Sequence, residues 1–522
     1  MTAKLSRRAF TALMLAGLLP RGLAGQAAAD AAAQLVPTAG VQGSYASVVM
    51  LARARAQSEA KLRSGRLTAP FADLSYDAYR AIRPAPQPLG EAGTGLMFDP
   101  LPPGLVFANP VALSVIDGAQ TFDLPFDPAL FDFDPAFFDA DDIARLKDSA
   151  PEGDLGYSGV RLRVPLNRPD RLDEVAVFQG ASYFRAVARG MVYGLSARGL
   201  AIGTAAPEGE EFARFTQIWI EVPERGVQSV VVRALLESAS CTGAYEFTIS
   251  PGETTVMQTR CTLFPRREIQ QIGIAPLTSM YFFGPSRRAG VDDFRDAVHD
   301  SSGLQMVTGA GRRIWRSLAN PQEVQVSAFV DENPKGFGLS QRQREFAYYQ
   351  DAEARYEKRP TCWVEPVGGW GRGSVILVEI PVRSEFNDNI VAFWRPEAPL
   401  QPADQGHEFR YRLHWGAAPP DAAPLGRVQA LRSGRAVNAP DRRVLVVDFR
   451  KDSAWAEGIT VEAFANGAPV SDVSLHHLPD ENGLRAAFVH DPDGAEVTEF
   501  ELTLMGPDGP ETETWLYRLD RP

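Results

Sequence analysis

The chain reads as a mostly β protein, a large antiparallel β-sandwich followed by a small immunoglobulin-like β-sandwich. Three observations predict this. Segments of alternating or continuous apolar residues, rich in Val and Ile, recur from Gly156 onward. Clusters of Gly, Pro and Asn separate them. The strict strand–helix alternation that builds parallel sheets is absent.

The elements follow in order. Residues 45–62 (YASVVMLARARAQSEAKL) have helical spacing and high helix propensity, and a second short helix is expected over Tyr76–Ile82. Ala119–Asp142 is rich in Asp, Phe and Pro, but lacks the Gly and final Glu of a calcium loop, so a structured loop and a short helix are expected there. Strands are expected at Gly159–Pro165, Gln217–Val222, Ser229–Leu236, Glu323–Phe329 and Ser374–Val382. A helix-like interruption spans Gln343 to Glu357. The Pro/Ala-rich run from Gly416 to Leu425 reads as a linker. Beyond it, Val444–Phe449, Ile459–Ala463 and Glu499–Leu504 read as short strands, and a segment of roughly a hundred residues suits an immunoglobulin-like sandwich. The expected division is 34–415, a linker at 416–427, and 428–522.

Export is predicted by the first 29 residues. Ser6-Arg7-Arg8-Ala9-Phe10 precedes an apolar run from Ala12 to Leu19, and small residues end in Ala27-Ala28-Ala29. Basic start, short apolar middle and small-residue end are the parts of a cleaved signal, and the paired arginines resemble the twin-arginine type. The apolar run is too short for a membrane span. The full chain carries −12; removing Lys4, Arg7, Arg8 and Arg21 leaves about −16. So acidic a surface, with no basic stripe, disfavours a nucleic-acid partner. Cys241 and Cys261 flank a turn-like Ser250-Pro251-Gly252-Glu253, which would set them nearly opposite each other. A cross-strand disulfide and two buried thiols both fit.

Much chemistry is excluded. The six histidines, His299, His407, His414, His476, His477 and His490, form no zinc-protease motif, and no cysteine pair has zinc-finger spacing. Gly194-Leu195-Ser196-Ala197-Arg198-Gly199 has its second glycine one place too far for a nucleophile elbow. Gly369-Trp370-Gly371-Arg372-Gly373 lacks the Walker lysine and precedes a strand, so it reads as a turn. No metal or cofactor is called for. What remains is acid chemistry with aromatics, which suits sugars: carboxyl groups cleave glycosidic bonds, and Trp or Tyr faces stack on sugar rings. Composition does not choose among 65 acidic residues.

Several strings do choose. FQGASYFRAV (178–187), YGLSARGLAI (193–202), SASCTGAYEFTI (238–249), IGIAPLTSMYFFG (272–284), VHDSSGL (298–304), IWRSLANP (314–321), NPKGFGL (333–339), YEKRPTCWVEP (356–366) and NDNIVAFWRPE (387–397) resemble, in order, the periplasmic glucan biosynthesis G/D family (OpgG/OpgD, MdoG/MdoD). The resemblance covers most of residues 150–415 and implies a large sandwich followed by an immunoglobulin-like domain. It also implies work in the periplasm on osmoregulated glucans with a β-1,2-linked backbone. The family in turn resembles glycoside hydrolase family 186, whose enzymes cleave β-1,2-glucan internally with inversion. Some relatives instead transfer the cut chain to its own end, closing an α-1,6-linked ring.

Carried over residue by residue, Asp388 in Asn387-Asp388-Asn389 is the general-acid candidate and Asp300 in Val298-His299-Asp300-Ser301 the general-base candidate, acting through a relay of waters and hydroxyls. Tyr356 and Glu385 match relay or substrate-contact positions. The D-type run Glu-Thr-Leu-Asp is here Glu385-Phe386-Asn387-Asp388, so residue 386 has lost a hydroxyl. Tyr183, Arg185, Tyr193 and Arg198 are candidates to line a groove or to hold the sheet, and Trp363, Trp370 and Trp394 candidates for stacking or for the core. By residue type alone, Asp300 also reads as a turn cap or surface ion pair and Asp388 as an Asx turn. Three readings follow: an inverting hydrolase, a cyclising transglycosylase, and a non-catalytic glucan-binding assembly factor. Expected partners are β-1,2-glucan, a membrane glucan synthase and a second copy in a homodimer.

Overall fold

The computed structural model describes residues 32–38, 43–60, 62, 65–90, 95–148, 155–224, 226–288, 290–420, 423–479, 482–491 and 494–520. The export signal expected at 1–29 lies outside them. The protein is mostly β, with antiparallel sheets. It divides into two compact units, one running to Pro276 and taking in Phe393–Gly416, the other built from Leu277–Ala392 and the chain from Ala417 onward.

In the first unit, two sheets face each other. One runs in the order Gln120–Leu124, Ala112–Asp117, Arg214–Glu221, Val230–Glu237, Cys241–Ser250, Thr255–Pro265 and His407–Gly416, with one parallel pairing, Ala112–Asp117 on Arg214–Glu221. The other runs through Met97–Leu101, Gly159–Arg168, Arg171–Gln179, Tyr183–Ala186 and Ser196–Arg198. Aromatics join the layers: Phe247 of the first sheet lies 5.2 Å from Phe178 and 4.9 Å from Phe184 of the second. Contacts of this size add about 0.5–1.5 kcal/mol each beyond area burial. The helix Tyr45–Ala56 is capped by Ser44, which accepts from the Ser47 N–H at 3.2 Å, and packs Val48 and Ala52 on Trp219, Leu235 and Phe264. It is shorter than the 45–62 expected.

The cysteine register also differs from expectation. Ser250 pairs with Val256, so the hairpin pivots two residues later than the Pro-Gly suggests. Cys261 therefore faces Tyr245, and Cys241 faces Pro265. Both thiols are free and buried, and burial pushes Cys261 up to about 12.

In the second unit, Gly303–Val307 pairs with Arg313–Ser317 and Gly336–Ser340, and Gly336–Ser340 with Thr361–Pro366. Arg313–Ser317 pairs in parallel with Thr514–Asp520, which pairs with Val497–Gly506, which pairs with Thr460–Ala465. The C-terminal strands thus continue a sheet begun two hundred residues earlier. They pack on a second sheet, Arg427–Ala436, Ala439–Arg450, Gly483–His490 and Ser474–His477. Trp315, Trp515, Tyr517, Leu445, Val447 and Phe488 fill the space between them.

The helix-like stretch 343–357 forms only Phe346–Tyr349 and a 3-10 turn at Tyr356–Lys358. Gln350 and Arg355 adopt left-handed φ of 55° and 49°, and Asp351 takes the N–H groups of Glu353 and Ala354 at 3.0 and 2.7 Å. Those side-chain bonds offer the backbone an alternative to the helix.

One buried ion pair ties the second unit together. Glu379, at the end of Arg372–Glu379, accepts from Arg316 at 3.0 Å and from the Ala319 N–H at 2.7 Å, and both side chains are 1% exposed. Removing one partner strands a buried charge, at a cost of about 3–5 kcal/mol. Glu379→Ala is therefore expected to lower the urea midpoint sharply, whereas Glu253→Ala, at an exposed ion pair, should leave it nearly unchanged. Equal midpoints for the two variants would contradict this.

Candidate active site

The two acid candidates meet at one short piece of backbone, Ser279–Tyr281. The Asp300 N–H bonds the Met280 carbonyl at 2.8 Å, and the Asn389 N–H bonds the neighbouring Ser279 carbonyl at 3.0 Å. Successive carbonyls of an extended chain point to opposite sides, so the Asp300 and Asp388 segments flank this stretch. Two strands flanking a third lie about 10 Å apart in backbone.

Asparagines fix the loop that carries Asp388. Asn389, fully buried, accepts the Tyr281 N–H at 2.8 Å and donates to the carbonyls of Tyr281 and Ile380, each at 3.0 Å. Asn320 donates to the Val382 carbonyl at 2.9 Å and to the Phe282 carbonyl at 3.1 Å, and accepts the Val382 N–H at 2.9 Å. Residues 382 and 389 are thus pinned, and Glu385, Phe386 and Asp388 lie between. Asn387 donates to Ser384 at 3.2 Å, and the Asp388 Oδ2 atom is removed from solvent. The Phe386 ring is 48% exposed.

A chain of charges extends from Asp300. Its carboxylate is ion-paired with Arg359, whose guanidinium lies 4.3 Å over the Tyr356 ring. Burial works against the Arg359 charge, yet Asp300 and Tyr356 leave its pKa raised. The Tyr356 hydroxyl donates to Glu385 at 3.2 Å. Burial pushes its pKa well up, so it keeps its proton at neutral pH. Glu385 pairs with Arg295 at 2.7 Å, which also holds Asp351 at 2.7 Å and Asp293 at 2.8 Å. Burial disfavours the Asp351 charge, but the Ala354 and Glu353 N–H groups and Arg295 outweigh it and lower its pKa. Asp300, Tyr356 and Glu385 therefore belong to one network, and the loop that supplies Glu385 also carries Asp388.

The other candidates stand elsewhere. Tyr183, Arg185, Tyr193 and Arg198 lie in the first unit. Arg198 pairs with Glu210 at 2.6 Å and lies 5.2 Å over the Tyr183 ring, its direct neighbour across the strands. Arg185 donates to Ser196 at 2.7 Å. Tyr193 is buried near Glu174, Arg161 and Arg163. Trp363 and Trp394 are core residues. Trp370 sits where its turn is bonded to Asn333, at the start of the strand Arg372–Glu379. The Asp388 loop leaves the other end, about 25 Å away for eight extended residues. Arg295, Arg359, Asp351, Asn389 and Asn320 were not anticipated, although Arg359, Asn389 and Asn320 fall inside the matched strings YEKRP, NDN and SLANP.

A two-unit β protein with two acid-bearing segments docked on one stretch of backbone, and an ion-pair network around one of them, is the architecture in hand. A family profile described as periplasmic glucan biosynthesis protein, MdoG, matches residues 44–519. The chain belongs to that family. It is 44% identical over 478 residues to a protein of Vibrio cholerae named glucans biosynthesis protein G, covering 90% of this chain and 86% of that one. Proteins of the same name from Shewanella putrefaciens and Shewanella baltica are each 42% identical, with the same coverage.

His299, next to Asp300, is stacked on Tyr281 at 5.2 Å with Tyr349 edge-on at 5.2 Å, and burial lowers its pKa to about 3. The folded protein then refuses a proton that the unfolded chain accepts near pH 6.5. Stability from this residue is full above pH 6.5 and is lost as pH falls toward 3. Between pH 7 and pH 4, urea unfolding of the wild type is expected to lose about 2–3 kcal/mol more than that of His299→Gln. Identical acid dependence would refute this.

Proposed function

We propose that this protein acts in the periplasm, after export, as an inverting glycoside hydrolase on the β-1,2-glucan backbone, serving periplasmic glucan biosynthesis. The observation that carries the reading is the docking of the Asp300 and Asn389 segments on opposite sides of Ser279–Tyr281. Inversion needs an acid on the leaving-group side and a base that activates water on the other face, with carboxyl groups typically ~6.5–9.5 Å apart. Flanking one strand suits that spacing or a slightly longer one, bridged by a relay.

Asp388 protonates the departing glycosidic oxygen. Asp300, ion-paired with Arg359, takes the proton of the attacking water, directly or through hydroxyls of the substrate. Water adds to the anomeric carbon as the glycosidic bond breaks, so one step inverts the centre and no covalent intermediate forms. Tyr356 and Glu385 stand beside this path and are assigned to order it. A membrane glucan synthase and a second copy of the chain remain the proposed partners.

One observation favours a second reading. The exposed Phe386 ring stands where the D-type run has a hydroxyl residue. An aromatic face there displaces water and stacks on a sugar. The chain's own 6-hydroxyl then replaces water as nucleophile, and the product is an α-1,6-closed ring.

Incubation of the mature protein with linear β-1,2-glucan, followed by mass analysis, tests both. Hydrolysis gives shorter linear chains; cyclisation gives products lacking one water. Asp388→Asn and Asp300→Asn are each expected to slow either reaction by roughly 10²–10⁴-fold. Wild-type protein that changes neither chain length nor linkage would overturn the enzymatic reading in favour of glucan binding.

A further inference from the structure

The strand Gln325–Glu332 lies at the edge of its sheet, paired on one side only, with Arg372–Glu379. The register is unbroken, from Gln325 opposite Glu379 to Glu332 opposite Arg372. The Asn333 N–H bonds the Gly371 carbonyl at 2.9 Å in the same register. Hydrogen-bonded pairs alternate along an antiparallel ladder, so the odd-numbered residues from 325 to 331 turn their backbone groups toward Arg372–Glu379. Val326, Ala328, Val330 and Glu332 turn theirs outward. The Asp331 carboxylate takes the Glu332 N–H at 2.8 Å. The outward N–H and C=O groups of Val326, Ala328 and Val330 have no partner among the described residues.

The side chains of these residues are bare as well. Val326 is 46% and Val330 75% exposed, and Ala328 is exposed, although Val378 and Ile376 across the ladder from Val326 and Ala328 are buried. A cavity of 580 Å³ runs beside Val326–Phe329, so the chain's own residues do not fill the space along the edge. An edge with free backbone groups and apolar side chains is a template for another strand, and proteins blunt such edges with lysine, proline or a bulge. None of these interrupts residues 325–332.

The edge is complementary to itself. Set antiparallel to a second copy about a two-fold axis at Ala328, Val326 meets the second copy's Val330, and Ala328 meets its counterpart. Each such pair exchanges two hydrogen bonds, so every free N–H on the edge finds a carbonyl. Asp331 then faces Gln325, Glu332 faces Val324, and Glu323 faces Asn333, so no acid stands opposite an acid. The smallest side chain of the exposed row, Ala328, falls on the axis. We propose that this edge joins two copies of the chain, Gln325–Glu332 against Gln325–Glu332. The contact uses none of the residues assigned to the candidate active site, so it stands or falls apart from the function proposed above.

Analytical ultracentrifugation of the mature protein is expected to show a concentration-dependent dimer. Ala328→Lys sets two like charges opposite each other and should shift the protein to monomer at the same concentration, with its circular dichroism unchanged. Cross-linking reads the register. Cys241, Cys261 and Cys362 are buried, so Ala328→Cys adds an accessible thiol to a chain that otherwise exposes none. Facing Cα atoms in a hydrogen-bonded pair lie about 5.5 Å apart, within the ~4.4–6.8 Å span of a disulfide. Mild oxidation should therefore convert Ala328→Cys to a covalent dimer. Val330→Cys, four extended residues or about 14 Å from its counterpart, should stay unlinked. Protein that sediments as a monomer at every concentration overturns the proposal and leaves the edge to a strand of another protein. A dimer that survives Ala328→Lys, or that links equally well through Val330→Cys, has its interface elsewhere and also overturns it.

Discussion

The arrangement of the candidate site depends on one side chain, the amide of Asn389. It meets three backbone groups on two separate stretches of chain, and its own N–H and carbonyl bond Ser279 and Ile380. In a fully buried position each such bond avoids the ~1–3 kcal/mol cost of stranding a polar group. No other residue type of that size supplies one acceptor and two donors. Because Asp388 is the preceding residue, the amide that satisfies the backbone also sets where this proposed acid stands. Asp300 reaches the same backbone from the other side. The geometry of the pair is therefore a consequence of backbone hydrogen bonding, and the carboxyl groups need no contact with each other.

The two segments also differ in their charged surroundings. Asp300 has Arg359 directly against it, with Tyr356 beneath that guanidinium and Glu385 and Arg295 beyond. A carboxylate held this way is fixed in place by its cation. The neutral His299 keeps a second positive charge away from it. The loop bearing Asp388 is anchored by asparagines, neutral residues that hold the backbone without adding charge.

The strands were legible in the sequence because alternating apolar residues report directly on burial. Val230–Glu237 and Arg372–Glu379 lie close to where periodicity set them. What failed was governed by single polar residues. The 343–357 segment has helical spacing, but Asp351 and two left-handed residues break it. The hairpin register around Cys241 and Cys261 hung on where the turn pivots, which Pro and Gly mark only to within a residue or two. The continuation of the C-terminal strands into a sheet begun near residue 303 is a long-range pairing that no local pattern reports. At the site, Asp300 and Asp388 came from family resemblance, since 65 acidic residues look alike to periodicity. Asn389 and Arg359 lay inside the matched strings, but their work is to bond distant backbone or a distant carboxylate. That is visible only once the chain is folded.

The most direct measurement is the steady-state rate of Asn389→Ala on linear β-1,2-glucan, alongside its circular dichroism. If Asn389 sets the acid against the base, kcat falls about 100-fold, as expected for a displacement near 1 Å, while KM changes little and the β spectrum persists. A folded Asn389→Ala protein with wild-type kcat would contradict the account.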